Sequence, residues 1–440
     1  MKDSLDNRIR DRLDAALKKA MQLGAAGAKI SCRRAESLQA QFEAGRLKDT
    51  GGSQTFAYFV DLLVNGRRGQ SGGNNLDDLD TLVERAVTLA AIGSVAHFDT
   101  WPAPVRFTPV KKHSPDTLAL SRERMIAACG EMVDLLKAHD PDLFITAQAG
   151  RSEREGILMT TSGVAHQSAS TTWSLGAGVQ QTRGTDILLA GDGRSWCQLN
   201  SYFDANAIAQ KTIGYLKHAE READPPTGRT RVFLPPEGLG MFLWPLTLAI
   251  NGRAVAKGES PLAGKIGQPV LAPCFTITDD PHRDYCPGAS ALDNDGIPTR
   301  RQALVEKGIL QRFLYDLDSA GLAKTEPTGN CGCHPYYPVL ETGTRTSAEL
   351  LKNIKDGLYL TDNLIGFGQS NILNGDFSCN VGLGYRIRNG EIVGRVKNTM
   401  IAGNLFEILR QDVELSSDTD YEGSTPYAVV DGVSVSAHKR

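Results

Sequence analysis

The sequence predicts an α+β fold divided into two domains. Its 440 residues are enough for two or three domains at roughly 150 residues each. Helical segments and segments of alternating apolar residues follow one another without the regular strand–helix–strand order of a doubly wound sheet. A Pro-Pro-Thr-Gly break at residues 225–228 separates the two halves. We therefore expect an N-terminal domain of helices and antiparallel sheet at residues 1–224 and a β-rich C-terminal domain at residues 225–440.

The first half is expected to begin with a helix and continue into strands. Apolar residues recur every four positions from Ile9 to Met21, and Gly24 is suited to end that helix. Alternation then predicts strands around residues 38–43 and 56–64. Further helices are predicted at residues 76–91 and 115–139.

A long antiparallel meander is expected next. Between Leu143 and Leu189 the chain is rich in Thr, Ser, Gly and Val, and it alternates with period two without a helical face. Asp204 then suits the N-cap of a helix with Ile208 and Leu216 on its apolar face. That helix completes the predicted N-terminal domain.

The second half is predicted to combine one buried helix with hairpins. Residues 232–234 indicate a strand, and the helical pattern at 237–257 is apolar nearly all round, which is typical of a helix buried on most sides. Short helices are predicted at residues 346–355, where Thr346 and Glu349 fit a capping box, and at 404–411. Hairpin turns are predicted at Asn389-Gly390, Lys307-Gly308 and Asp431-Gly432.

Composition excludes several classes of protein. The 48 Lys and Arg against 51 Asp and Glu give a formal net charge of −3, too weak a field for direct nucleic-acid binding. The charged N-terminus has no signal-peptide core, and the longest apolar stretch, 239–250, is too short to cross a membrane. The eight Cys form no CxxC, so reduced thiols and a cytoplasmic location are expected.

The common catalytic motifs are missing from the sequence. It contains no HExxH and no Walker A loop. The carboxylate pairs Asp279-Asp280 and Asp293/Asp295 have no His partner and are interpreted as turn and capping residues. The densest His and Cys groups are Cys274, His282, Cys286, Cys331, Cys333 and His334. They leave open a loop metal site, although local packing of thiols is the simpler interpretation.

Six stretches of the second half resemble the TldD/PmbA family, once described as modulators of DNA gyrase and now regarded as a peptidase system. They run in the family's order, and the element order of residues 1–224 suits the family's N-terminal domain, so the resemblance covers essentially the whole chain. The stretches are 296–301 (GIPTRR), 306–314 (EKGILQRFL), 328–330 (TGN), 357–361 (GLYLT), 374–378 (NGDFS) and 384–391 (GYRIRNGE).

Within that family the chain resembles the PmbA (TldE) branch, which lacks the zinc-binding HExxxH helix of the TldD branch. Aligning that helix places Leu243 and Leu248 at the two His positions and Trp244 at the Glu, and no Cys follows Cys379 as a late ligand. These side chains cannot hold zinc, so we expect core residues there, with no metal, no cofactor and no catalytic residue. The resemblance implies a non-catalytic subunit that forms a homodimer or heterodimer, with a TldD-like zinc protease as its partner.

The expected ligand of such a subunit is an unfolded or extended peptide, which can add as a strand to a sheet edge. Two loops are candidates for contacting it, although plain turns would explain them equally well. They comprise Thr328, Gly329 and Asn330, and Gly375, Asp376, Phe377 and Ser378. Two alternatives stay open: a stand-alone hydrolase that uses the region of Cys331, Cys333 and His334, and a homodimeric peptide-binding or scaffold protein.

Overall fold

The computed structural model describes residues 2–437. The first half of the chain contains five α-helices, seven strands and one 3-10 turn at 76–78. In chain order these helices and strands are α1 (Lys2–Gln22), β1 (Gly27–Glu43), β2 (Arg46–Asp49), β3 (Gly52–Val64), β4 (Arg67–Gly73), α2 (Leu79–Ala90), α3 (Pro115–Leu118), α4 (Arg122–His139), β5 (Phe144–Thr160), β6 (Ala165–Arg183), β7 (Asp186–Trp196) and α5 (Ala205–His218).

The seven strands form one antiparallel sheet. Its order is β4-β3-β1-β5-β6-β7, with β2 paired to β1, so β4 and β7 are its two edges. Strands β5, β6 and β7 follow one another as hairpins, which confirms the predicted meander. Helices α4 and α5 pack on one face around Trp173 and Leu175. The opposite face carries exposed apolar side chains, including Phe144, Ile187 and Leu189.

The second half contains five helices and thirteen strands, with two further 3-10 turns at 367–369 and 372–374. In chain order the helices and strands are β8 (Gly228–Leu234), α6 (Pro236–Ala249), α7 (Gly252–Ala256), β9 (Ile277–Asp279), β10 (Gln302–Glu306), β11 (Ile309–Leu310), α8 (Leu317–Ala323), β12 (Pro338–Leu340), α9 (Ser347–Lys352), β13 (Asp356–Leu360), β14 (Leu364–Ile365), β15 (Asp376–Val381), β16 (Gly384–Arg388), β17 (Glu391–Arg395), β18 (Thr399–Asn404), α10 (Leu405–Ile408), β19 (Val413–Thr419) and β20 (Pro426–Ala437).

Most of these strands belong to a nine-stranded sheet with the order β14-β15-β18-β20-β8-β13-β16-β17, where β19 also pairs with β20. Strand β8 is central, because it lies between β20, to which it is antiparallel, and β13, to which it is parallel. A smaller sheet has the order β11-β10-β9-β12. Helix α6 packs into the core of this half through Phe242, Leu246 and Ala249.

Local sequence signals predict several helix caps and turns correctly. Thr346 and Glu349 form the predicted capping box of α9, and Asp204 caps α5. The Asn389-Gly390 turn joins β16 to β17, and the Lys307-Gly308 turn joins β10 to β11. These motifs succeed because the residues that decide them lie within a few positions of one another.

Three predicted elements were wrong in their extent. The helix expected at 237–257 stops at Ala249 and resumes at Gly252, because the side chain of Asn251 accepts the N–H groups of Arg253 and Ala254 and begins a new helix. The helix expected at 115–139 is divided into α3 and α4, the second capped by Ser121. Asp431-Gly432 forms a bulge within β20 instead of a hairpin turn.

The division of the chain at residues 224 and 225 stays a prediction. The seven-stranded sheet lies wholly before it and the two other sheets wholly after it. The core under α4 and α5, however, also includes Tyr337, Leu383 and Tyr385 from the second half, so the two halves pack against each other through buried side chains.

Within residues 2–437, no helix combines the length and the apolar character that crossing a membrane requires.

Candidate functional site

Helix α6 carries the three residues that align with the zinc-binding motif, Leu243, Trp244 and Leu248. They lie in different surroundings. Leu243 is 7% exposed and belongs to the core, as expected. Trp244 is 38% exposed, and its ring stacks on that of Phe367 with 6.5 Å between the centroids. Leu248 is half-buried. The expectation that all three had become core residues was therefore wrong for Trp244 and Leu248, since positions one and five residues along a helix from Leu243 point away from its side.

These three side chains do not fit a zinc ion. Two leucines and a tryptophan offer no ligand atom of the kind that zinc binds. In the part of the chain that the structure describes, no group of three or more His, Cys, Asp or Glu residues is placed to hold a metal. No chemical step can accordingly be assigned to a metal on α6, and the expectation of no cofactor stays a prediction.

A large cleft of about 830 Å³ lies between the N-terminal sheet and α6. One wall is formed by the edge strand β7 and by α5, and the other by α6, β12 and the segment 419–427. Its middle is apolar. The apolar lining comprises Leu243, Leu246, Ile250, Ile277, Leu304 and Leu340.

The wall formed by β7 is a partly covered sheet edge. The C=O of Ile187 accepts from Arg395 (3.2 Å), the C=O of Leu189 accepts from Asn363 Nδ2 (3.5 Å), and the N–H of Ser195 donates to Tyr421 Oη (3.3 Å). Backbone groups alternate between the two edges of a strand. The outward groups of β7 therefore belong to odd-numbered residues, and those of Gly191 and Gly193 lie open between the covered ends.

Four glycines make this stretch of sheet bare of side chains. Gly176 pairs with Gly193 and Gly178 pairs with Gly191, in the hairpin of β6 and β7. A Cβ on Gly191 would lie 2.7 Å from the C=O of Ala177, whereas one on Gly193 would meet no atom closer than 3.7 Å. A ligand backbone can thus approach β7 closely.

One end of the cleft holds a lysine between two carboxylates. Lys211 Nζ lies 3.0 Å from Asp192 Oδ1 and also pairs with Glu237. Burial alone would lower the pKa of Lys211, but Glu237 and Asp192 outweigh it and raise the pKa. The second carboxylate oxygen of Glu237 is buried and accepts no hydrogen bond, and burial together with Glu237 raises the pKa of the neighbouring Asp362.

The other end of the cleft is built from tyrosines around Glu422. Tyr337 and Tyr421 each donate a hydrogen bond of 3.0 Å to its carboxylate. Burial raises the pKa of Glu422, although the two hydroxyls oppose the shift. Arg194 lies over the Tyr421 ring at 5.4 Å from its centroid. This end is therefore a hydrogen-bonded aromatic wall.

The predicted loop 328–330 makes its hydrogen bonds to other residues of the protein. Thr328 Oγ1 accepts the N–H of Tyr315 (2.9 Å). Asn330 is buried and donates to Asp279 Oδ2 (2.9 Å) while accepting from Gln302 (2.7 Å). Gly329 has a positive φ of 77° and packs against the C=O of Pro298. None of the three lines the cleft, and their assignment to peptide binding stays a prediction.

The second predicted loop, 375–378, supports α6 from behind. Phe377 is buried and packs on Phe242, with 5.7 Å between the ring centroids. Asp376 Oδ1 accepts from Asn404 (2.8 Å), and the N–H of Ser378 donates to Ser370. Gly375 turns the chain with a φ of 85°. These residues also lie outside the cleft lining, so the structure separates them from that cleft.

The Cys-rich loop places its thiols in buried surroundings. Cys333 Sγ lies 3.2 Å from Ser319 Oγ and accepts the N–H of Asp316 (3.3 Å). Burial raises the pKa of Cys331 to about 12, with Asp295 and Asp293 adding to the shift. A nucleophilic cysteine needs a lowered pKa, so these surroundings disfavour the thiol alternative. His334 is exposed and its C=O accepts from Asn330.

The carboxylates of Asp293 and Asp295 form a closed cluster beside that loop. Asp293 Oδ1 accepts the N–H groups of Asp295 (2.8 Å) and Ile297 (2.9 Å), as expected of a turn residue. Its other oxygen is buried without a partner, and burial raises its pKa to about 7. Asp295 pairs with Lys29 at 2.6 Å and accepts from the ring of Trp101.

Most of the cleft residues were missed at the sequence level. One available signal was the pair of segments Gly176-Ala177-Gly178 and Gly191-Asp192-Gly193, which lie symmetrically about the turn at residues 184–185. A hairpin folded there must bring the four glycines together. No comparable signal joins Lys211, Glu237 and Tyr421, which come from distant parts of the sequence.

Comparison with protein-family models gives a match in the second half of the chain. Residues 227–437 match the model described as the PmbA/TldA metallopeptidase C-terminal domain. A metalloprotease of Methanothermobacter thermautotrophicus is 31% identical over 224 residues, covering 49% of each chain. A PmbA-homologue metalloprotease of Buchnera aphidicola is 29% identical over 195 residues, covering 44% of this chain and 43% of its own. The chain spans about half the length of the curated relatives it matches.

Comparison with solved structures concerns the whole fold. The crystal structure of TldE from Thermococcus kodakarensis aligns with a TM-score of 0.87, covering 97% of this chain and all of that chain at 20% identity. At that identity the likeness establishes the shared fold and nothing further. It bears out the predicted α+β class.

Proposed function

Because residues 227–437 match the model of the PmbA/TldA metallopeptidase C-terminal domain, we propose that this chain is a non-catalytic subunit of a TldD/TldE-type zinc protease. In this role it pairs with a TldD-like catalytic subunit and helps to hold an unfolded peptide for cleavage. The proposal places the extended peptide in the cleft between β7 and α6. The family's metalloprotease members supply the reaction class.

The observation that carries the proposal is the open edge at Gly191 and Gly193. Extended peptides gain affinity by hydrogen bonding to such an edge, and pockets alongside select their side chains. The cleft of about 830 Å³ lies directly against it. Since both glycines lack side chains and the adjoining wall is apolar, the peptide backbone can reach β7 while its side chains contact α6.

The non-catalytic part of the proposal rests on the chemistry of α6. Leu243, Trp244 and Leu248 supply no ligand, general acid or general base. Pro245 lies within the same helix, where it removes one of the helix's own backbone hydrogen bonds. Cleavage is accordingly assigned to the partner subunit, and this chain contributes binding surface.

The test removes one backbone N–H donor from the edge of β7. Gly193→Pro removes the outward N–H, which makes no bond within the sheet, whereas Gly193→Ala keeps it and adds a Cβ in free space. We expect Gly193→Pro to weaken binding of a fluorescently labelled unfolded peptide about five-fold, the effect of one hydrogen bond of about 1 kcal/mol. Gly193→Ala should bind within about two-fold of the unchanged chain, since the N–H is retained.

The same variants are then mixed with a TldD-type homologue. We expect a stoichiometric complex in each case, with KM for the unfolded peptide raised by Gly193→Pro and kcat little changed. Thermal melting of each variant identifies any loss of fold. Peptide cleavage by this chain alone, or failure to form a complex with the homologue, would refute the subunit proposal.

A further inference from the structure

The cleft described above is chemically asymmetric, and its charges indicate which peptides it accepts. Its lining includes five carboxylates and only two cations. The carboxylates belong to Asp192, Glu237, Asp362, Asp420 and Glu422, and the cations to Lys211 and Arg194. The cleft therefore has a marked excess of acidic groups although the whole chain is close to neutral.

Both cations are already engaged. Lys211 pairs with Asp192 and Glu237, and Arg194 lies 3.8 Å from Asp192 and over the Tyr421 ring. Among the described residues, Asp362 has no cation within 4 Å of its carboxylate. Glu237 retains a buried oxygen without a hydrogen bond. The unsatisfied acceptors are thus concentrated at the end of the cleft formed by α5 and α6.

The open strand edge leads to this same end. Asn363, the residue after Asp362, donates to the C=O of Leu189, two residues before Gly191 in β7. A peptide that pairs with Gly191 and Gly193 consequently ends beside Asp362. On the opposite wall it meets the apolar side chains of α6, including Leu243 and Leu246.

Resting on the proposed function, we propose that the cleft selects extended peptides that carry a lysine or arginine beside Gly191, followed by apolar residues along α6. The cationic group occupies the end of the cleft at Glu237 and Asp362, and the apolar residues fill the middle. Backbone pairing with β7 fixes the register, so that the charge preference applies to one position of the peptide. An acidic residue at that position faces like charges and is rejected.

The experiment compares three peptides that differ at one residue. A labelled unfolded peptide with apolar flanks carries Lys, Met or Glu at the test position, and binding to the full chain is followed by fluorescence anisotropy. We expect the Met peptide to bind about ten-fold more weakly than the Lys peptide, and the Glu peptide more weakly still. The Lys preference should shrink at high salt.

Variants of the chain assign the preference to its source. Glu237→Gln and Asp362→Asn should each reduce the ratio between the Lys and Met peptides to within about two-fold. Glu326→Gln, an exposed carboxylate outside the cleft, is the matched control and should keep the ten-fold ratio.

The outcomes separate this inference from the proposed function. Equal binding of all three peptides, still weakened by Gly193→Pro, would overturn the charge preference and leave peptide binding at β7 standing. A Lys preference that persists in both Glu237→Gln and Asp362→Asn would overturn the assigned site. Failure of every peptide to bind would overturn both.

Discussion

Two lysines join the halves of this protein in the same way but in opposite surroundings. Lys29 Nζ lies 2.6 Å from Asp295 and 3.6 Å from Asp61. Lys211 lies 3.0 Å from Asp192 and also pairs with Glu237. Each lysine thus bridges one carboxylate of the N-terminal half and one of the C-terminal half. Lys29 is only 14% exposed, however, whereas Lys211 is 35% exposed.

The difference lies in what surrounds each bridge. The Lys29 ammonium faces the ring of Trp101 at 5.6 Å, and Asp61 is also paired with Arg68. Burial alone would lower the pKa of Lys29, but Asp295 and Asp61 outweigh it and raise the pKa. Lys211 instead lines the cleft, and one buried oxygen of Glu237 beside it accepts no hydrogen bond. The same three charges therefore form a structural connection around Lys29 and, in the proposed function, part of a binding surface around Lys211.

The strongest way to break this comparison is to remove Lys29. Lys29→Met leaves Asp295 buried with only the Trp101 N–H as a side-chain donor, so we expect the free energy of unfolding to fall by about 3–5 kcal/mol. Urea denaturation measures it. The control is Lys48→Met, which removes an exposed pair with Glu43 and should change stability by less than about 1 kcal/mol. Equal losses in the two variants would contradict the comparison.

The cluster of Asp293 and Asp295 should also make the free energy of unfolding depend on pH. The pKa of Asp293 is raised from 3.8 to about 7, so between these values the unfolded chain binds fewer protons and stability falls as the pH rises. Asp293→Asn cannot ionise and should remove that loss, by at most about 4 kcal/mol at pH 8 and by almost nothing at pH 4. Denaturation at the two pH values checks the sign.

Asp295→Asn is the matched control for Asp293→Asn. It weakens the pair with Lys29 at 2.6 Å and should destabilise the protein at pH 8. A stability gain in both variants would show that the cluster tolerates loss of either carboxylate, and the two neighbouring aspartates would then not differ in role.

The smallest expected effect belongs to the open bridge. Lys211→Met leaves Glu237 36% exposed and Asp192 still 3.8 Å from Arg194, so we expect the free energy of unfolding to fall by about 1–2 kcal/mol, less than in Lys29→Met. The binding of a lysine-containing peptide should instead tighten by a few-fold, because the cleft becomes more acidic. Denaturation and anisotropy on one protein preparation measure both. A large stability loss with unchanged binding would make Lys211 equivalent to Lys29.

Much of the fold followed from local signals in the sequence. The period-two stretch at 143–189 became the β5–β6–β7 meander, and the capping box at Thr346 and Glu349 began α9. In both cases the deciding residues are near neighbours. The extent of α6 depended on the capping side chain of Asn251, which competes with continuation of the helix and gives no periodic signal.

The candidate site could be predicted only in part. An apolar helix was expected at 237–257, of which α6 forms the first part, and the glycine pairs of β6 and β7 could have been found. The cleft, however, is assembled from β7, α5, α6, β12 and the segment 419–427, and pairing over such distances is not encoded in local periodicity. The exposure of Trp244 likewise depends on Phe367, which lies more than a hundred residues away.

The central position of β8 delays completion of its sheet during synthesis. This strand is made about halfway through the chain, and its antiparallel partner β20 begins at Pro426, about 190 residues after Leu234. At roughly 5–20 residues per second, β8 waits about 10–40 s for that partner. Meanwhile β7 is already made, but Asn363, Arg395 and Tyr421, which later cover its ends, are not. Until those residues are made, the nascent chain presents a bare strand edge that can pair with another chain.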